Sequence, residues 1–197
     1  MHFKGAPVAC LLAASTNLAA DLVSVGSHGT SRAAGILFGS VASAMAHHAP
    51  CSVLIARGGQ AALPSRLLHA DDGSPESHEA AQIAGAIASR HGSPVTTLHV
   101  GRNESDQSQL AEESVSLIEA AGVKPEVAFE QGSPHRKIVE TALEMRASLI
   151  VVGSRGLTGT RALGSVSERV AHHAPCSGLI VRRQARPIRT DAEGQVS

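Results

Sequence analysis

The sequence has no tryptophan and no tyrosine, and Phe3, Phe38 and Phe129 are its only phenylalanines. Without successive aromatic faces, a stacking platform for single-stranded nucleic acid cannot be assembled. An excess of one charge is missing too. Seventeen Lys and Arg balance seventeen Asp and Glu, for a formal net charge of zero with the histidines neutral. The charges are interspersed, which leaves no electrostatic footprint for nucleic acid or for an anionic membrane. Cys10, Cys51 and Cys176 are odd in number and too sparse for a disulfide framework. No window reaches the roughly 18 apolar residues of a membrane span. The opening "MHFKGAPVAC" lacks the charged segment and apolar core of a signal peptide, so the cytoplasm is the expected location. Lys4, Lys124 and Lys137 are the only lysines, and none follows a glycine loop, which argues against a Walker-type phosphate site. The absence of a Gly-x-Ser-x-Gly elbow argues equally against a serine hydrolase.

What is present is an ordinary globular composition, 43% hydrophobic and 17% charged. Its 197 residues suit one α/β domain plus part of another, or two small ones. The chain also repeats itself. "GAPVACLLAASTNLAADLVSVGSHG" (Gly5 to Gly29) lies over "GSPHRKIVETALEMRASLIVVGSRG" (Gly132 to Gly156), and both stretches run on to an identical "HHAPCS". Each copy opens with Gly-x-Pro, and proline suits a first helical position because its missing N–H has no partner there. Apolar residues then fall at helical spacing, Leu11, Leu12 and Leu18 in one copy and Ile138, Val139 and Leu143 in the other. "LVSV" and "LIVV" follow, too short for helices and rich in β-branched residues, and read as buried strands. Beyond a Gly-rich turn, "GSVSERVAHH" predicts a helix that Ala-Pro ends, and "CSGLIV" a further strand.

Residues 66–131 have no upstream counterpart. "RLLHA", "PVTTLHV" and "KPEVAFE" read as strands, and "SPESHEAAQIAGAIASRHG" and "SQLAEESVSLIEAAG" as helices. Ser74 is a plausible cap for the first of these helices and Gly92 its stop. The alternation predicts a parallel α/β fold. Four segments are expected: a partial domain over 1–57, a linker over 58–65, a complete domain over 66–183 and a disordered tail over 184–197.

A Gly-x-x-Gly turn between a buried strand and a helix lets backbone N–H groups approach an anion, and the next helix start adds its dipole and orphan donors. Ser165 and Ser167 add hydroxyls. The alternative is that the glycines serve only the turn and Ser165 caps the helix. Asp71 and Asp72 end the first strand of the complete domain, where a carboxylate can accept from ribose hydroxyls. Asp72 can equally begin a turn with Gly73 or help cap the next helix. Arg155 and Arg161 lie in the loop as phosphate contacts or as solvated charges. His47, His48 and Cys51, with His172, His173 and Cys176, suggest a metal site, but adjacent helical histidines diverge by about 100° and a fourth ligand is missing. Histidines complementing a helix C-terminus are the better reading, and no metal is expected.

"DDGSPES", "TTLHV", "GSRGLTG" and "GSVSERVAHHAPCSGLIVRR" resemble the universal stress protein family over residues 66–183, and residues 5–57 resemble the C-terminal half of the same domain. The resemblance implies a Rossmann-like open parallel sheet of five strands in the order 3-2-1-4-5, with a half-domain of two strands and two helices beside it. It also implies a homodimer or a tandem pair, and in one subclass ATP, with Mg only alongside it, bound without dedicated catalytic apparatus. By position, Asp72 would be the ribose-binding acid, Ala70, Asp71 and Val100 would line the adenine, and Val152, Gly153 and Gly156 would form the ribose and phosphate turn. Gly164, Ser165, Val166 and Ser167 would hold the phosphates, and Gly26, Gly29, Gly39 and Ser40 would form a degenerate second site.

The family's ATP pattern places nine residues between the second and third glycines. The first copy keeps that spacing from Gly29 to Gly39, whereas the complete domain has seven, Leu157 to Leu163. The shorter loop predicts a redirected helix start. Pairing of "SVLIA" with "SGLIV" would join the two parts through their last strands. The resulting expectation is an adenine-nucleotide-binding stress regulator that acts by association. The alternatives are an interaction module without nucleotide and a slow ATPase.

Overall fold

The computed structural model describes residues 5–28, 38–58, 64–101, 104–155 and 163–183, with the side chains of 104–110 excepted. Gly29, Gly156, Arg161, most of the linker and of the 157–163 loop, and the 184–197 tail lie outside the described residues. The elements in chain order are α1 (Pro7–Asn17), β1 (Leu22–Gly26), α2 (Ser40–His48), β2 (Ser52–Ala56), β3 (Leu67–Asp71), α3 (Pro75–His91), β4 (Val95–Val100), α4 (Glu104–Glu119), β5 (Glu126–Glu130), α5 (Pro134–Glu144), β6 (Leu149–Gly153), α6 (Ser165–His173) and β7 (Ser177–Val181). They build one seven-stranded sheet in the order β1-β2-β7-β6-β3-β4-β5. From β5 to β7 every pairing is parallel. Numbered within residues 66–183, these strands run 3-2-1-4-5, the order expected.

Local chemistry sets the element ends. Proline occupies the first turn of α1, α3 and α5. Ser74 caps α3, its hydroxyl accepting the Ser77 N–H at 3.2 Å. Gly92 closes the same helix in the left-handed region at φ 64°, where a side chain would be strained. Central β6, with helices on both faces, buries all five of its residues, as an apolar strand inside a parallel sheet must. Helices α1, α2, α5 and α6 pack on one face around Met45, Leu68, Ile138, Ile150 and Ile180. Helices α3 and α4 cover the other face, where Ala80, Ala84 and Ala88 meet Leu149, Val151 and Leu179. Gly85 permits the close approach of these two helices, since a Cβ there would stand 3.1 Å from the Ile118 Cα.

Strands β1 and β2 join the sheet through β2 and β7. β2 and β7 pair antiparallel with Leu54 opposite Leu179, residues that are themselves equivalent in the repeat. The contact is therefore two-fold symmetric within one chain. The Arg57 N–H donates to Ser177 Oγ at 3.1 Å, and the Arg182 N–H donates to Ser52 Oγ at 3.1 Å. The Arg57 guanidinium donates to the Ala171 carbonyl at the end of α6, and that of Arg182 to the Ala46 carbonyl at the end of α2. Cations there complement the negative helix ends and satisfy their orphan carbonyls. Leu18 and Leu143, which continue the helical spacing of apolar residues, are exposed, because each lies at or beside a helix C-terminus. Among the described residues no helix is long and apolar enough to cross a membrane.

Candidate functional site

In a doubly wound sheet, the crevice for a ligand opens at the carboxyl ends of the strands, where chain order reverses. Here the reversal falls at β3, between β4 and β6. A pocket of about 270 Å³ lies there. The ends of β3, β4 and β6 contribute Ala70, Asp71, Asp72, Val100, Val152 and Gly153, and the start of α6 contributes Gly164, Ser165, Val166 and Ser167. The structure thus brings ten of the eleven residues proposed for the principal site to one cavity. The eleventh, Gly156, lies outside the described residues.

The two aspartates are placed differently. The Asp71 side chain is fully buried toward α3 and α4. One of its oxygens accepts from Ser77 Oγ at 2.6 Å and from the Gly73 N–H at 2.9 Å. The other lies 3.6 Å from His99 Nε2. What Asp71 offers the pocket is therefore backbone. Burial works against its carboxylate, yet His69 and the hydrogen bonds from Ser77 and Gly73 outweigh that cost and hold it below the usual carboxylate range. Burial also lowers His69 and His99 below the ordinary histidine value, against the pull of the Asp71 carboxylate. Asp72 is exposed at the pocket rim, where Oδ1 accepts the Ser74 N–H at 3.1 Å and forms a turn with Gly73 in the left-handed region at φ 72°.

At the opposite wall, Gly164 and not Ser165 occupies the N-cap of α6, with no side-chain cap. The first helical bond runs from the Glu168 N–H to the Gly164 carbonyl at 2.9 Å. The amides of Ser165, Val166 and Ser167 are thus the orphan donors of the first turn. The Ser167 hydroxyl donates to the Gly153 carbonyl at 2.6 Å, which ties the helix start to the end of β6.

The shortened loop does not redirect this helix. The Gly164 N–H donates to the Ser154 carbonyl at 2.7 Å, and the equivalent Gly39 N–H donates to Ser27 at 2.7 Å. Backbone angles at the two caps agree, φ −73° and ψ 151° against φ −75° and ψ 152°. Two residues are lost within the loop while its closing bond is kept. The second site, Gly26, Gly39 and Ser40, therefore repeats the helix start but, among the described residues, has no strand beyond β1.

Gly153 is required by packing. A Cβ there would stand 2.9 Å from the backbone of both Glu76 and Ser77, in the first turn of α3. Sequence reasoning missed Leu98, Pro134 and Ile138, which form the apolar floor of the pocket. The Gly-x-Pro signal before α5 was legible for Pro134, but its approach to β4 was not. Arg155 lines the pocket and pairs with Glu76 at 2.8 Å. The histidine pairs do not converge. His47 lies 3.3 Å from Glu168, His173 Nδ1 lies 2.8 Å from the Arg169 carbonyl, and the adjacent rings are 6.0 and 6.3 Å apart. Among the described residues no cluster of three metal-ligating side chains exists.

The sequence model of the universal stress protein family matches residues 2–57 and 65–182. The chain belongs to that family. A universal stress protein of Mycolicibacterium smegmatis is 34% identical over 184 residues, which cover 83% of this chain and 62% of that protein. The crystal structure of a universal stress protein from Archaeoglobus fulgidus is 29% identical with a TM-score of 0.75, over 90% of this chain and 67% of its own. The crystal structure of a universal stress protein in complex with cAMP is 30% identical with a TM-score of 0.56, over 61% of this chain and 98% of its own. This chain thus spans about two thirds of its longer relatives, while a single-unit relative is matched over almost its whole length.

Proposed function

We propose that this universal stress protein binds an adenine nucleotide, ATP by preference, in the pocket at the ends of β3, β4 and β6, and that it acts by binding and association rather than by turnover. One observation carries the reading. A rim carboxylate, an apolar floor and the uncapped amides of a helix start face a single cavity. In this reading Ala70, Val100 and Val152, over Leu98 and Ile138, take the base, and Asp72 accepts from the ribose hydroxyls. Gly153, Gly156 and Gly164 leave room for the phosphates, and the amides of Ser165, Val166 and Ser167 bind them. Magnesium enters only as a counter-ion of the phosphates. The cAMP complex of a 30% identical family member supports an adenine ligand for the same fold. The cytoplasm remains the proposed location and a homo-oligomer the proposed assembly.

Thermal unfolding with and without ATP tests this. A ligand at a hundred times its Kd adds about 2.7 kcal/mol. For a chain of this length, each kcal/mol raises Tm by about 2–4 °C. An ATP-dependent rise of roughly 5–11 °C that Asp72→Ala abolishes is the expected result. Folded protein with an unmoved Tm at millimolar ATP refutes it.

A second reading, an interaction module without nucleotide, draws on the Arg155–Glu76 pair, which engages the loop cation within the protein. It predicts self-association indifferent to ATP. Slow hydrolysis of bound ATP is a third reading, and phosphate release no faster than in Ser165→Pro rejects it.

A further inference from the structure

The first turn of α3 and the turn that follows β6 are joined at three points. The Ser74 hydroxyl donates to the Arg155 carbonyl at 3.2 Å. Gly153 leaves no room for a Cβ against the backbone of Glu76 and Ser77. Arg155 Nη2 donates to Glu76 Oε1 at 2.8 Å. Both the backbone and the side chain of Arg155 are therefore held by one helical turn. Glu76 lies in the first turn of α3, where a carboxylate complements the positive helix end, and the residue is 9% exposed. Its place is set by the helix, and the guanidinium comes to it.

The two partners stand differently toward the pocket at the ends of β3, β4 and β6. Arg155 lines the cavity and Glu76 does not, and their side chains are 42% and 12% exposed. The carboxylate thus stands behind the guanidinium. A guanidinium carries five N–H donors, and the contact with Glu76 leaves others for a second anion. Among the described lining residues Arg155 is the only cation. The Asp71 carboxylate is turned toward His99, and Asp72 is exposed at the rim. Without Arg155 the full charge at the cavity mouth is negative, and only the partial charges of the α6 amides favour phosphate. A phosphate that drew Arg155 away would strand Glu76 as a buried charge without its partner, at high cost. Sharing the guanidinium avoids that cost.

We propose that Glu76 is a positioning residue that fixes Arg155 at the cavity wall, and that the pair makes this site select adenine nucleotides by phosphate charge, with ATP far above adenosine. This rests on the nucleotide reading above and adds to it the residues that read the charge. An arginine already held gives up less side-chain freedom when it meets a phosphate, and its planar fork matches phosphate oxygens. Glu76 contributes to affinity only through Arg155, so its effect vanishes once the guanidinium is gone.

Titration of amide chemical shifts in the full chain, with ATP and separately with adenosine, tests this. Arg155→Met should raise the Kd for ATP about 10- to 100-fold and move that for adenosine by less than about twofold. Glu76→Ala should raise the ATP Kd about 2- to 10-fold, the loss expected when a side chain must be immobilised on binding, again with adenosine unmoved. In the Arg155→Met background Glu76→Ala should add no further loss. Adenosine binding by each variant certifies an intact pocket. The proposal falls if Arg155→Met leaves the ATP-to-adenosine ratio unchanged, or if the two losses add. It falls equally if Glu76→Ala tightens ATP, because the carboxylate is then a competitor, or weakens adenosine as much as ATP, because its role is then structural. Equal affinity of the parent for ATP and adenosine overturns this inference and leaves the nucleotide pocket standing, whereas a folded parent that binds neither removes both.

Discussion

Replacing Gly153 by alanine adds a single methyl group where the structure leaves no room for one. The added Cβ would meet the Glu76 carbonyl carbon and the Ser77 nitrogen at 2.9 Å and the Glu76 Cβ at 3.0 Å. Two of these are backbone atoms of the first turn of α3, so no side-chain rotation relieves the contact. The helix start must move, and it is held by the Ser74 cap, by the Ser77–Asp71 hydrogen bond and by the Glu76–Arg155 pair. Overpacking of this kind costs about 1–3 kcal/mol, which for a chain of this length lowers Tm by roughly 2–12 °C. The control is Gly178→Ala in β7, where nothing lies within 4 Å of a built Cβ and the residue is already extended. That change should be neutral or stabilise by up to about 1 kcal/mol by restricting the unfolded chain. Urea unfolding of the two variants decides the matter. Equal midpoints for Gly153→Ala and Gly178→Ala would refute the argument that α3 dictates the glycine.

Three further outcomes follow from other parts of the fold. His69 and His99 are held below the ordinary histidine value by burial, so the unfolded chain takes up their protons first as pH falls. Stability is therefore complete above about pH 6.5 and declines below it, with a slope approaching about 1.4 kcal/mol per pH unit for each histidine. A His69→Gln/His99→Gln variant that keeps the same slope contradicts this origin. Arg57→Met removes donors to the α6 carbonyls of Ala171 and His172 and should cost about 1.5–3 kcal/mol in urea unfolding; an unchanged midpoint would show that the symmetric contact is not held by these bonds. Burial pushes the Cys176 thiol up to about 11 and raises Cys51 as well. Ellman's reagent at pH 8 should therefore titrate Cys10 well ahead of the other two, and three equal rates would contradict that assignment.

The alternation of strands and helices over residues 66–183 was legible from short apolar runs bounded by turn residues, whereas the strand order was carried by the family resemblance, since runs of this kind fix elements and not their neighbours. The β2–β7 contact was expected from the way domains of the resembled family pair through their last strands, and the duplicated "HHAPCS" only marked which two strands are equivalent. The arginines that reinforce it, Arg57 and Arg182, stand at equivalent repeat positions, and the sequence alone does not show that their guanidinium groups reach across to the opposite helix ends. Asp71, Asp72 and the start of α6 were legible because a parallel sheet gathers its strand ends, whereas Ala70, Val100 and Val152 were placed by the family resemblance. Leu98 and Ile138 were not legible, since an apolar side chain under a ligand reads like any core residue. The direction of Asp71 was hidden for a different reason. Alternation along β3 sends adjacent carboxylates to opposite faces, and only the packing of α3 shows which face is the closed one. The closure at Gly164 was misjudged from loop length, because two residues were removed between the fixed ends and not from them.

The central claim concerns a ligand, and calorimetric titration with ATP tests it most directly. Ser165→Pro is the informative variant. Proline is welcome at a first helical position, and Gly164 already holds the extended angles that a residue before proline needs. The change removes one amide donor and one hydroxyl while leaving the helix in place. The account predicts one ATP site per chain in the parent and a Kd about 10- to 100-fold higher in Ser165→Pro. No heat of binding to the folded parent, or equal affinity in both proteins, contradicts it.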